Sequence, residues 1–344
     1  MIEFAERYGS GHIHDTYLAA FEENGRTERI ILQRINTGIF QNPVAVMRNI
    51  ERVTAHLRSR LNGAANRDRR VLQLVPVRDG NVLHVDAEGR YWRAYRFITG
   101  ARTYDAVSSP RQAFEAAKAF GVFQAQLADL PAPRLEESIP DFHNTAKRIA
   151  ALERAVVADA ARRCEEARSE IAFAESQRGL AEALAGAGLP ERVTHNDTKL
   201  NNVMLDDATG EGICVIDLDT VMPGPAAHDF GDMVRTMTCP AAEDEKDLSQ
   251  VKMDFALFDA VLRGYLEGAG SFLTKAERES LIAGAKVIVF EQGIRFLSDF
   301  LAGDTYYKVS RPEQNLDRSR TQFRLLESIE EQEGAMTRLL HSLG

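Results

Sequence analysis

Residues 193–205 read Val-Thr-His-Asn-Asp-Thr-Lys-Leu-Asn-Asn-Val-Met-Leu, and residues 213–219, beyond a Gly-containing break, read Ile-Cys-Val-Ile-Asp-Leu-Asp. Asp197 and Asn202 fall on one polar loop, and Asp217 ends an apolar β-run. Two carboxylates and an amide in a strand–loop–strand context suit phosphoryl transfer. One Asp accepts the proton of an attacking hydroxyl, while the Asn and the other Asp hold Mg²⁺ on the nucleotide phosphates. The spacing His-x-Asp-x-x-x-x-Asn is kept as His195, Asp197 and Asn202. A polar turn between two strands would account for an Asp or an Asn, but not for the whole set in this order.

Neighbouring residues take secondary roles. Lys199, inside the loop, either neutralises the transferring phosphoryl group or is a solvated lysine, and His195 is expected to support the loop by hydrogen bonding. Asp219, two residues past Asp217, points to the same side of an extended chain. It can reach a second metal or the substrate, or cap the turn that follows. His228-Asp-Phe-Gly-Asp232 lies after the metal-binding aspartate and does not end a β-run. Asp229 and Asp232 therefore read as buried anchors that brace the loop or cap a helix starting near Met233.

The first hundred residues are β-rich with one strong helix. Runs at 17–21 and 29–35 flank the turn-forming Glu23-Asn24-Gly25, and further strand candidates lie at 71–77, 81–86 and 91–98. Pro43 opens a helix over 44–61, with Val46, Ile50, Val53 and Leu57 at helical spacing. Ahead of the first hairpin, Tyr8-Gly-Ser-Gly-His-Ile-His-Asp-Thr-Tyr17 carries two glycines whose backbone N–H groups can approach phosphate oxygens. Ser10 and Gly11 are the candidate contacts. Arg34 shares a strand face with Ile30 and Leu32, an odd position for an unpaired charge. It is a candidate for holding the α- and β-phosphates, with Glu51 on the following helix orienting it.

From about residue 110 the pattern turns helical, with candidates at 111–127, 253–267, 275–302 and 318–343, and two helices within 144–185. A chain of 344 residues with 44% hydrophobic and 27% charged residues has ample material for a soluble two-part fold. The expected class is α+β: an N-terminal antiparallel β-lobe over 1–98 and a larger, mainly helical lobe over 99–344, hinged at Thr99-Gly100. A net charge of -9 argues against nucleic-acid and anionic-membrane partners. The three scattered cysteines make neither a disulfide framework nor a zinc site, and no secretory or membrane-spanning run is present. The expected setting is a cytoplasmic monomer.

These residues make the chain resemble the aminoglycoside phosphotransferase and choline kinase superfamily, a small-molecule branch of the protein-kinase-like fold. Within it, several strings are similar to the N-acetylhexosamine 1-kinases: Gly-His-Ile-His-Asp-Thr (11–16), Ile-Leu-Gln-Arg-Ile-Asn (31–36), Thr-His-Asn-Asp-Thr-Lys-Leu-Asn-Asn-Val (194–203) and Ile-Asp-Leu-Asp-Thr-Val-Met-Pro-Gly (216–224). Gly-Ile-Arg-Phe-Leu-Ser-Asp (293–299) and Arg-Thr-Gln-Phe (320–323) add to that. Where many relatives carry Lys, this chain has Arg34. The resemblance implies ATP- and Mg²⁺-dependent phosphorylation of the anomeric hydroxyl of a sugar substrate, N-acetylglucosamine or N-acetylgalactosamine. Asp197 would be the proton acceptor, Asn202, Asp217 and Asp219 the metal side, and the nucleotide would lie against the hinge at 97–100. Arg102 and Tyr104 past the hinge, Asn144 before the long helices, and Arg295 are the candidate sugar contacts. Rival acceptors are homoserine, choline, methylthioribose or an aminoglycoside. A pseudokinase would predict decay at Asp197, Asn202 or Asp217, all three of which are intact.

Overall fold

The computed structural model describes residues 2–9, 13–23, 26–63, 66–184 and 187–344. Strands β1 (Ile2–Arg7), β2 (Asp15–Glu23), β3 (Arg26–Arg34), β4 (His84–Val85) and β5 (Tyr91–Arg96) form an antiparallel sheet in the order β1-β2-β3-β5-β4. The expected strand at 71–77 is reduced to a single bridge between Leu74 and Tyr95, flanked by backbone bonds from Val75 to Ala94 and from Arg96 to Gln73. Between β3 and β4 runs helix α1 (Pro43–Arg60), started by Asn42, whose side chain accepts the Ala45 N–H at 3.1 Å. Its buried face carries Val46, Ile50, Val53 and Leu57 at the spacing read from the sequence. The four-residue α2 (Arg67–Arg70) follows α1.

The remainder is mixed α+β with helices dominating. After the two-residue β6 (Ala101–Arg102) come α3 (Pro110–Leu127), α4 (Thr145–Ala158) and α5 (Arg168–Ser176). Short strands β7 (Arg192–Thr194), β8 (Val203–Asp206), β9 (Gly212–Val215) and β10 (Met222–Gly224) carry the polar loops. Helices α6 (Ala226–Met237), α7 (Phe255–Ala269), α8 (Lys275–Ala302) and α9 (Gln314–Ser342) complete the chain. Strand β8 pairs with β6 and β9, and β7 pairs with β10, so Asp197 and Asp217 sit on two loops brought side by side.

Close helix packing positions those loops. A Cβ on Gly268 of α7 would stand 2.5 Å from the Lys118 carbonyl oxygen of α3, so these helices touch backbone to backbone. That approach brings the Tyr265 hydroxyl to Gln124 Oε1 at 2.6 Å, and Gln124 in turn donates to Asp229 of α6. At the base of the loop, Arg192 donates to both Glu277 oxygens at 2.8 Å, and Glu277 also closes the capping box of α8 with Thr274. One apolar core runs through both parts, from Ile50 and Tyr95 to Phe230, Phe290 and Leu326. No helix among the described residues is long and apolar enough to cross a membrane.

Candidate active site

The loop after β7 is held by its backbone before any side chain acts. Asp229 accepts the His195 N–H at 2.8 Å and the Asn196 N–H at 2.7 Å, and its own carbonyl accepts the Thr198 hydroxyl at 2.7 Å. Helix α6 starts at Ala226, about two turns earlier than expected, which places Asp229 in its first turn facing the loop. His195 is enclosed by the ring edges of Phe120 and Phe123. Its Nε2 lies 2.9 Å from the Ile216 carbonyl, an acceptor, so that nitrogen carries the proton, and Nδ1 accepts the Asp197 N–H at 3.3 Å. Both ring nitrogens are occupied. His195 ties the Asp197 loop to the Asp217 loop and has no lone pair left for substrate.

Asp197 projects from this frame. Lys199 Nζ lies 2.9 Å from its Oδ2, and Asn202 donates to its Oδ2 at 2.9 Å and its carbonyl at 2.8 Å. Burial alone would raise the Asp197 pKa, but the Lys199 ammonium and the amide donor hold it below the usual carboxylate range. The Lys199 ammonium is correspondingly raised, burial being outweighed by Asp197 and Asp217. The result is an ionised carboxylate able to accept a hydrogen bond, and later a proton, from a hydroxyl.

Both amide hydrogens of Asn202 are spent on Asp197, so its oxygen is the end left for a cation. Asp217 is pushed up to about 6 by burial and by the charges of Asp219 and Asp197. An anion so destabilised by like charges, in a cleft that Asn202 also lines, fits a hard divalent cation. His14, Asp217 and Asp219 also come together, with one ligand atom from each within 4.8 Å of the others. That trio does not fit a metal. His14 Nδ1 accepts the Asn36 N–H at 3.1 Å, which leaves the proton on Nε2, and Nε2 faces Asp219 at 3.4 Å. Asp219 is moreover gripped by Arg93 through two bonds of 2.6 and 2.5 Å. Asn202 and Asp217 are the residues that would hold the cation, and Asp219 is an anchor for Arg93.

The sheet contributes a cleft of about 220 Å³ beside these loops, lined by Ile31, Tyr95, Phe97 and Ile98 above and by Met204 and Ile216 below. Gly9, at φ +80, turns the chain at its rim after Tyr8, whose ring meets the edge of Phe97. Ser10 and Gly11, the expected phosphate contacts, lie outside the described residues. Arg34 is a correction. The cleft face of β3 carries Ile31 and Gln33, so alternation turns Arg34 to the opposite face, where it pairs with Asp15, its cross-strand partner on β2. Glu51 is exposed on α1 and does not orient Arg34. The buried cation of the cleft is Arg93 on β5, which also donates to Gln33 Oε1 at 3.0 Å. Sequence reading missed it, although Tyr91, Arg93 and Tyr95 share a strand face and an arginine between two aromatic residues marks a buried charge in need of a partner.

The expected acceptor contacts are scattered. Arg102 pairs with Asp207 at 2.6 Å at the cleft mouth, and Tyr104 is exposed. Asn144 is occupied as the N-cap of α4, accepting the Lys147 N–H at 3.1 Å and donating to Asp141. Arg295 is largely buried, bonded to Gln292 at 3.1 Å and stacked over Phe142 and Tyr307. Arg235, on α6, pairs with Asp232 at 2.8 Å and lies close enough to Asp197 and Arg295 to feel both charges.

A family profile described as a phosphotransferase enzyme family matches residues 5–275. Among solved structures, the fold is similar to a choline kinase from Cryptosporidium parvum Iowa II (13% identity, TM-score 0.61, covering 97% of this chain and 91% of that one). It is similar to a microcompartment-associated aminopropanol kinase (17% identity, TM-score 0.57, 95% and 91%). A third is an amicoumacin kinase in complex with AMP-PNP, Ca²⁺ and Ami (13% identity, TM-score 0.59, 93% and 87%).

Proposed function

Because the chain belongs to the phosphotransferase enzyme family, we propose that it moves a phosphoryl group from ATP to the anomeric hydroxyl of an N-acetylhexosamine. The observation that carries the transfer is the Asp197–Asn202 arrangement: an ionised carboxylate that takes both amide hydrogens of Asn202, which lines the same cleft as Asp217. The resemblance of residues 194–203 and 216–224 to the N-acetylhexosamine 1-kinases carries the acceptor.

In this reading the nucleotide base packs between Ile31 and Met204 and the phosphates run toward Asp217. A divalent cation held by Asn202 and Asp217, expected to be Mg²⁺, would neutralise phosphate charge. Asp197 orients the anomeric hydroxyl and accepts its proton late in transfer; that hydroxyl is the most acidic on the sugar, so a single carboxylate suffices. Lys199, fixed on Asp197, adds positive charge where the transferring group passes. Positioning and charge neutralisation supply most of the rate.

The test is ATP-dependent phosphorylation of a panel of free sugars, amino alcohols and aminoglycosides. Product from N-acetylhexosamines that has lost its reducing end supports the proposal; turnover confined to amino alcohols would sink the acceptor assignment and leave the transfer chemistry standing.

A further inference from the structure

We propose that His143 is a positioning residue for the transfer, held as an imidazolium between Glu291 and the Asn196 carbonyl so that it fixes the backbone from which Asp197 projects. Its Nδ1 lies 2.8 Å from Glu291 Oε1 and its Nε2 3.2 Å from the Asn196 carbonyl oxygen. The Asn196 carbonyl oxygen cannot donate, and neither can Glu291 Oε1 while its carboxylate is ionised. The other Glu291 oxygen already accepts the Thr145 hydroxyl at 2.8 Å. Either neutral tautomer would set a ring lone pair against an oxygen inside a buried site, so only the doubly protonated ring satisfies both contacts.

Glu291 is 1% exposed, and burial would raise its pKa, yet the His143 charge beside it holds it at about 2. His228 of α6, its ring 5.1 Å from that of His143, is driven down to about 3 by burial and by the same neighbour. The other charges facing this cluster are Arg295 on α8 and Arg148 on α4. Glu291 is thus the counter-ion of His143, and His228 stays neutral.

What the imidazolium fixes is a strained residue. Asn196 has φ +65, in the left-handed region, and it stays there because every polar group it has is claimed. Its N–H goes to Asp229 and its side-chain amide to the Thr220 carbonyl at 2.9 Å, while its carbonyl takes the His143 proton. Without that proton the 196–197 peptide keeps only its other anchor, the Asp197 N–H on His195 Nδ1 at 3.3 Å, and the Asp197 carboxylate is held less firmly. In this proposal His143 acts through Asn196.

The proposal rests on the phosphotransferase reading for its kinetic arm alone. In the full-length protein labelled with ¹⁵N-histidine, one ring should show both nitrogens in the protonated range at neutral pH, and that signal should vanish in His143→Gln. A His143 ring with one protonated and one bare nitrogen overturns the imidazolium. With whichever acceptor turns over, folded His143→Gln and Glu291→Gln should each lower kcat about 10- to 100-fold while KM for ATP stays within about twofold. An unchanged kcat in either folded variant overturns the positioning role. If His143→Gln does not fold, the wild-type spectrum and Glu291→Gln still decide. Wild-type protein that transfers to no acceptor defeats the phosphotransferase reading, whereas active wild type with active variants defeats this inference alone.

Discussion

Arg93 and Asp219 face each other across the cleft as a two-bond ion pair, at 2.6 and 2.5 Å, with side chains only 1% and 2% exposed. The pair joins β5 to the segment just past Asp217, so the sheet and the Asp217 loop are coupled through one guanidinium. Burial costs each ion its hydration, and the fork-on-carboxylate geometry offsets that only while both partners are present.

Removing one partner should therefore be far worse than removing a surface pair. Arg93→Ala is expected to lose about 3–5 kcal/mol of stability in urea denaturation, because it strands a buried carboxylate. Arg93→Lys keeps the charge but not the two parallel bonds and should recover only part of the loss. A cost below about 1 kcal/mol for Arg93→Ala would mean that the pair is not buried as described.

Arg34 gives the opposite expectation. Its partner Asp15 is on the face of the sheet away from the cleft, and the Arg34 side chain is 39% exposed. Arg34→Ala should change KM for ATP by no more than about twofold and stability by at most about 1 kcal/mol. A tenfold rise in KM would restore Arg34 as a phosphate contact.

Asp217 carries a cost of function. Its folded pKa, about 6, lies above the ordinary carboxylate value of 3.8, so ionising it opposes folding at neutral pH, and that penalty fades as pH falls through 6. Asp217→Asn is expected to stabilise the cation-free protein at neutral pH by up to about 3 kcal/mol while abolishing divalent-cation-dependent nucleotide binding. Thermal melts and nucleotide titrations with and without Mg²⁺ check both halves. A variant that is less stable without the cation would contradict the electrostatic assignment.

His228 sets an acid limit. Its folded pKa of about 3 lies below the ordinary 6.5, so the unfolded chain binds the extra proton first and stability drains away as pH falls below 6.5. Between neutral pH and pH 5 this group should cost the wild type about 2 kcal/mol relative to His228→Gln. Chemical denaturation of both proteins across that range measures it. Parallel stability curves for the two would exclude a buried neutral His228.

The residues legible in the sequence were those whose partners lie close along the chain. His195, Asp197 and Asn202 occupy one loop, and their mutual contacts follow from spacing alone. The helices with strong apolar spacing, α1 and α8, were equally readable. The cleft cation was not, because choosing between Arg34 and Arg93 requires knowing which face of the sheet meets the helices. Parity sorts residues into faces without saying which face is inside. His143 and Glu291 are 148 positions apart and meet only because α8 packs beside the segment leading into α4. The expected strand at 71–77 failed for a related reason: its β-rich composition is spent on a single bridge to β5.

Under the proposed function, Asp197 is the carboxylate that receives the acceptor's proton. The most direct measurement is kcat and nucleotide affinity for Asp197→Asn, with Asn202 and Lys199 left in place. We expect kcat to fall by about 10²–10⁴-fold with ATP binding retained. An Asp197→Asn enzyme that keeps its rate, or that loses nucleotide binding as fully as its rate, would contradict it.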